Sequence, residues 1–461
     1  MQLPCQLVYL SACLLKIMNN ALKQYIDLHD EQLAAIERLA PAPLNALRRQ
    51  ARRVLDGAVL PSKGSDDYEA TDLNAMLAPD YGVNVNHVDL SRQSTTKFRC
   101  EVPNLSTCLY YVFNDTFKPS ATAGKSGDRA SVESFQATKH PEVLAKYYGS
   151  VAQLSNPCTA LNTMLAQDGV MIYVPKGSHT SRPIQLINVF DANARLMAVR
   201  RVLIVLEDDA QAKVLVCDHT KGDQRYLSLE TVEVIAGRNA HLDYYHMEES
   251  DNHTTRLSQL WVRQQEGSNV LIDGITLTNG YTRNDYHIDV EGEHCDTQLL
   301  GMAIATGEQH VDNHTLIIHN APRCQSNEMF KYVLNDNSIG AFAGRILVKP
   351  GCPKIDAYQG NRNIVASPTA RMFTKPQLEI YTDDVKCSHG STVGQLDQDA
   401  LFYMQTRGIS LPIAQKLLMQ AFMSDVIDGV RLDTLRERLR HLVEMRLSGD
   451  AMICESCELK K

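Results

Sequence analysis

From Asp168 onward the chain reads as strand after strand, and nothing helical interrupts roughly 200 residues. VMIYVP (Val170 to Pro175), PIQLINVF (Pro183 to Phe190), VLIVLE (Val202 to Glu207), AKVLVC (Ala212 to Cys217), LETVEVIA (Leu229 to Ala236) and HLDYYHM (His241 to Met247) come first. LSQLWVRQQ, VLIDGITL, YHIDVEG, TQLLGMAIA, HTLIIHN and FKYVLND follow. Small polar turns separate them, as at Glu207 to Ala210, Ala236 to Ala240 and Gln265 to Asn269, and return about every 25 to 30 residues. Short strands at regular spacing without crossover helices exclude a doubly wound α/β fold. A sandwich, a propeller or a solenoid remain. The drifting repeat lacks a blade motif, which favours a parallel β-solenoid whose stacked coils need capping at their ends.

The flanks are helical and are expected to supply those caps. Leu22, Tyr25, Ile26, Leu33, Ile36 and Leu39 recur at helical spacing until Ala40-Pro41-Ala42-Pro43 breaks the run. A basic helix follows from Leu44 to Leu55, with Arg48, Arg49, Arg52 and Arg53 read as a solvated face. LPSKGSDDYEATDL (Leu60 to Leu73) is a turn-rich loop, and a helix is expected over Pro141 to Gln153. Past Asp397 a helix carries Leu401 and Phe402 and stops at Arg407-Gly408. Ser410 and Pro412 open a second, with Ile413, Leu417, Ala421 and Val426 marking an apolar face, and a third spans Leu432 to Leu447. The expected organisation is a mostly helical region over 1–168, a β-solenoid over 169–388 and a helical region over 389–461.

Composition removes several classes of function. At 44% hydrophobic and 22% charged residues this is the balance of an ordinary soluble protein. The net charge of -8, with no long basic run, argues against nucleic acid as a partner. The 12 cysteines are scattered in a chain of 461 residues, which reads as reduced thiols in the cytoplasm. The first residues, MQLPCQLVYLSACLLKI, hold an apolar run without a preceding Lys or Arg and without a small-residue cleavage site. Met18 is the expected start, with residues 1–17 an extension, and no membrane span is expected.

Few stretches carry chemistry. Ala121 to Gly127 resembles the end of a phosphate-binding loop, but Pro119 stands where that loop needs its first glycine, so no bound nucleotide is expected. Eight histidines fall between His241 and His319; as a group they read as exposed or hydrogen-bonded side chains rather than converging ligands. Cys454 and Cys457 form a lone pair in a charged tail, half of a zinc ribbon. Cys387 and His389, at the turn where a strand-like run ends, differ from these. Two residues apart in extended backbone they share a face, and thiolate and imidazole both suit iron, zinc or copper. From the residues alone, a metal pair and a buried Cys beside a hydrogen-bonded His stand level.

The stretch around that pair, KPQLEIYTDDVKCSHGSTVG with LFYMQTRGI after it, resembles the signature of the SufB/SufD family of iron–sulfur cluster assembly, nearest its SufD branch. LPSKGSDDYEATDL and HPEVLAKYYGSVAQLSNPCTALNTMLAQDGVMIYVPKG extend the resemblance over most of the chain from Met18. It implies a right-handed parallel β-helix between two helical regions and a non-catalytic scaffold. It further implies edge-to-edge pairing with a SufB-like subunit and a SufC-type ATPase held by the C-terminal helices, here Leu401, Phe402, Arg407, Ile413 and Leu417. ATP hydrolysis would belong to that partner. His389, with Cys387 beside it, would face a SufB cysteine across the interface as an iron ligand or proton carrier for a transient iron–sulfur cluster. SufB-like chains carry Glu-His-Glu-Ala where this one has Cys387-Ser-His389-Gly, and an upstream Cys that is absent between Gly360 and Lys386; Cys352 lies earlier. Self-pairing without SufB is a further expectation. A secreted β-helix polysaccharide lyase or hydrolase is the alternative, and fold alone would not separate the two.

Overall fold

The computed structural model describes residues 20–88, 106–119, 129–221 and 223–449. Residues 1–17, the Ala121 to Gly127 piece, and Cys454 with Cys457 lie outside them. Strands β5 (Val170–Val174), β7 (Leu196–Leu206), β9 (Tyr226–Ala236), β11 (Thr254–Gln264), β13 (Tyr281–Val290), β15 (His310–His319), β17 (Ile339–Val348) and β19 (Arg371–Ile380) pair in succession as one parallel sheet. Strands β6 (Ile184–Asp191), β8 (Gln211–Lys221), β10 (His241–Glu249), β12 (Asn269–Thr278), β14 (Asp296–Ala305), β16 (Gln325–Leu334), β18 (Ile355–Val365) and β20 (Val385–Gly394) make the other. Each coil gives one strand to each sheet, so the chain is a parallel β-solenoid.

Register runs through the stack with one shift, at Glu248/Glu249 between β10 and β12. Ile184, Val214, Tyr244, Ile272, Leu299, Glu328, Gln359 and His389 form one continuous ladder. A one-residue slip would turn every side chain to the opposite face, so the buried ladder fixes the register. The first five of these residues, with Val232, Val262, Ile288 and Ile346 of the facing sheet, fill the lumen.

The outer faces are also apolar, and this places the helices. β7 is buried along its whole length, as expected for a parallel sheet covered on both sides. Helices α1 (Asn20–Leu39), α2 (Ala42–Leu55), α3 (Leu73–Leu77), α4 (Pro141–Tyr147) and α5 (Pro157–Leu165) lie on the odd-numbered sheet. There Leu22, Leu73 and Leu161 meet Met197, Leu227 and Leu257. After α6 (Gln398–Thr406), the hairpin of α7 (Leu411–Asp428) and α8 (Asp433–Ser448) covers the even sheet, with Met423, Ile427 and Leu435 packed on Leu215, Leu271 and Leu300. The helical regions therefore clothe the flanks of the solenoid rather than capping its ends. The expectation of end caps fails because the strands expose two apolar faces and must bury both.

The two ends differ. At the N-terminal end, antiparallel strands β3 (Thr116–Pro119) and β4 (Ser131–Ser134) close the sheets, with β2 (Cys108–Phe113) as the first even-sheet strand. These strands lie inside the region expected to be mostly helical. At the C-terminal end β19 and β20 are the last strands of their sheets, and β20 continues past residue 388. No helix among the described residues is long and apolar enough to cross a membrane.

Arg48 corrects the reading of the basic helix as a solvated face. It is fully buried, and donates to the Met164 and Ala166 carbonyls that end α5. A cation at a helix C-terminus satisfies orphan carbonyls and the helix dipole together.

Candidate functional site

The open end carries Cys387 and His389. They sit within β20, not at a turn: β20 is held in parallel register by β18, so the strand runs through the pair to Gly394. Cys387 stands beside Ala357 and His389 beside Gln359. Cys387 is half-buried against the lumen core, and burial raises its thiol pKa. His389 is exposed.

The ladder behind His389 changes character as it nears this end. Its apolar members give way to Glu328, Gln359 and His389 in the last three coils. Glu328 is fully buried, and burial pushes its pKa up to about 7. Gln359 donates to it at 2.8 Å, and Thr315 donates at 2.5 Å. The Gln359 amide oxygen, Oε1, is buried without a hydrogen-bond partner among the described residues, an arrangement that normally has a cause. Beside this ladder Thr374 donates to Asn361 and shares a hydrogen bond with Ser391, both at 2.8 Å. This ladder thus turns polar where the lumen opens.

The rim suits a close neighbour. A Cβ at Gly390 or Gly394 would meet nothing within 4 Å. Tyr381 and Val393, 61% and 50% exposed, stand out beside them. A long edge strand bearing exposed apolar residues is a template for pairing with another chain. As a metal site the pair offers one thiol and one imidazole, whereas iron–sulfur clusters are commonly held by four ligands.

A second cluster has metal-ligand form. Ligand atoms of Asp218, Glu230 and His246 lie within 4.8 Å of one another, buried in the lumen. Arg256 already occupies it, donating to Asp218 at 3.0 Å and to Glu230 at 2.8 Å, and Arg200 donates to Asp218 at 3.2 Å. Two guanidiniums balance two carboxylates, so the geometry is that of a closed buried charge network. The other histidines do not converge on it. His310 stacks on Tyr281, His319 bonds Ser326, and His314 lies between Asp67 and Asp285.

The C-terminal residues expected to hold an ATPase divide. Phe402, Ile413 and Leu417 are exposed, Phe402 at 69%, and Arg407 is exposed with its guanidinium over the Tyr403 ring. Leu401 is buried, the one buried residue of α6. The inward face of α7 is Ala414, Met423, Val426 and Ile427, leaving Ile413 and Leu417 on the outside.

Residues 189–422 match the family described as SUF system FeS cluster assembly, SufBD core domain, and residues 19–186 match the SufBD protein N-terminal region. The chain belongs to the SufB/SufD family. An iron–sulfur cluster assembly SufBD family protein of Synechocystis is 28% identical over 414 residues, covering 87% of this chain and 90% of that protein. The iron–sulfur cluster assembly protein SufD of Escherichia coli is 27% identical, over 63% of this chain and 70% of its own length. SufD of Bacillus subtilis is 26% identical, over 68% and 72%. Within the SufB/SufD family the chain stands close to SufD, and a polysaccharide-degrading β-helix has no support among these relatives. Sequence reasoning singled out Cys387 and His389 but not Glu328 and Gln359, which the register places behind them. The signal was there, a Glu and a Gln at alternating inward positions of core strands, but only the register joins them to His389.

Proposed function

We propose that this chain is a SufD-type scaffold subunit whose open solenoid end supplies half of an iron–sulfur assembly site. The supporting observation is the lumen ladder, apolar through most of the solenoid and then polar through Glu328 and Gln359 to His389 on an edge that no other described strand pairs. In this reading β19 and β20 pair with a SufB-like subunit, which brings the remaining ligands. Cys387 and His389 then offer a thiolate and an imidazole to the iron–sulfur cargo, and the Glu328–Gln359 pair behind them holds or passes a proton. Region 389–461 docks a SufC-type ATPase through Phe402, Arg407, Ile413 and Leu417, and ATP hydrolysis belongs to that partner. The complex works in the cytoplasm, with no nucleic acid or membrane as partner. Without a SufB-like subunit the same edge self-pairs.

Co-expression with SufB-like and SufC-like subunits tests the reading. A single complex of the three, containing iron and sulfide, is the expected product. Recovery of this chain alone, with the other two forming an iron- and sulfide-containing complex without it, contradicts the reading.

A further inference from the structure

A pair of thiols lies in the lumen away from the open edge. Cys295 immediately precedes β14 and Cys324 immediately precedes β16, where Asp296 and Gln325 stand in register. The two cysteines are therefore neighbours on successive coils, and the Gln325 amide donates to the Cys295 carbonyl at 2.9 Å. Adjacent strands run about 4.8 Å apart, inside the Cα separation of about 4.4–6.8 Å that a disulfide spans. Both sulfurs converge on one atom, each 3.2 Å from the Gly292 carbonyl oxygen. Ser268 Oγ lies 3.5 Å from the Cys295 sulfur. Both side chains are buried, yet the preceding His294 is exposed, so the pair sits just beneath a surface corner. Cys352, next along the chain, is out of register: Asp356 pairs with Gln325, so Ile355 takes the place beside Cys324.

We propose that Cys295 and Cys324 are a peroxide-driven dithiol–disulfide pair, a reversible modification site that staples two successive coils at a corner of the lumen. The two thiols are not equivalent. Hydrogen bonds from Cys324 and Ser268 outweigh burial and bring Cys295 down to about 7, while Cys324, as donor to it, is pushed up. This is the asymmetry of an attacking thiolate beside a resolving thiol. The Cys295 thiolate attacks one oxygen of hydrogen peroxide, the O–O bond breaks, and hydroxide leaves to be protonated to water. Cys295 is then a sulfenic acid. The Cys324 sulfur gives up its proton and attacks that sulfur; the S–O bond breaks and the second oxygen leaves as water. Two thiols are oxidised by two electrons and one peroxide is reduced to two waters.

The test uses the whole chain, reduced, exposed to hydrogen peroxide, then alkylated under denaturing conditions and mapped by peptide mass spectrometry. The expected result is loss of both free thiols at 295 and 324 and a linked peptide pair that dithiothreitol reverses. The same link forms in Cys352→Ser. Finding both still alkylated when the half-buried Cys387 is oxidised overturns the proposal. So does a Cys324–Cys352 link in place of the Cys295–Cys324 one. The wild-type map decides without any variant that might fail to fold.

Discussion

Single buried charges hold the N-terminal region to the solenoid, and two of them give sharp expectations. Glu233 is fully buried, pairs with Arg201, and accepts from the Gly149, Val151 and Ala152 amides at 2.8, 3.1 and 3.1 Å. Glu233→Ala leaves Arg201 buried without its counter-charge and should destabilise the chain by about 3–5 kcal/mol; urea unfolding measures it, and a loss below about 1 kcal/mol is inconsistent with the pairing. His314 reports on pH. Burial alone would lower its pKa, but the Asp285 and Asp67 carboxylates outweigh burial and raise it from 6.5 to about 9. Asp67, hydrogen-bonded to His314, is lowered from 3.8 to about 2. The His314 contribution is thus fully present below pH 6.5 and lost as pH rises through about 9, and that of Asp67 is lost only as pH falls through about 2. The loop that carries Asp67 is also held by Arg283 over Tyr68 and by Arg345 on Asp67. Amide exchange of that loop, corrected for intrinsic rates, should rise between pH 6.5 and 9.5 in the wild type. The rise should be absent in His314→Gln.

The elements separate what sequence pattern can tell from what only packing can. Turn spacing and the absence of helical period made the solenoid legible, and apolar periodicity made most of the helices legible. Where the helices go was not legible. Ala414, Met423, Val426 and Ile427 bury while Ile413 and Leu417 stay out, because the covered face is chosen by the sheet beneath and not by the helix alone. The same limit hid the burial of Leu401 and Arg48: side-chain type gave their helices, but the surface packed against them decided their burial. Cys387 and His389 were legible as a pair, since a two-residue spacing in extended backbone carries its own geometry. Under the proposed function, the exposed apolar residues on α6 and α7 are the surface offered to the ATPase. Ile413→Asp with Leu417→Asp should leave the thermal transition nearly unchanged, since exposed substitutions shift stability by about 0.5 kcal/mol or less, and should abolish co-purification of the SufC-like subunit. Retained binding places that contact elsewhere.

The whole molecule is a solenoid closed at one end and open at the other. Antiparallel strands finish the N-terminal end; β19 and β20 leave two ten-residue edges at the C-terminal end. Charged residues on an edge strand discourage pairing; β19 and β20 carry Arg371, Lys375, Glu379 and Lys386, but Val393 on β20 and Tyr381 just past β19 stand exposed beside them. Tyr381→Lys with Val393→Lys should therefore shift the isolated chain towards monomer in sedimentation and weaken recovery with a SufB-like subunit. The unfolding profile should stay unchanged. In the proposed function this open end holds half a site, with His389 as the last rung of the lumen ladder. It is tested most directly by measuring iron and acid-labile sulfide in the purified three-subunit complex carrying His389→Ala. The expected result is an intact complex of unchanged size whose iron and sulfide fall to a small fraction of wild type. Full iron and sulfide in that complex would contradict it.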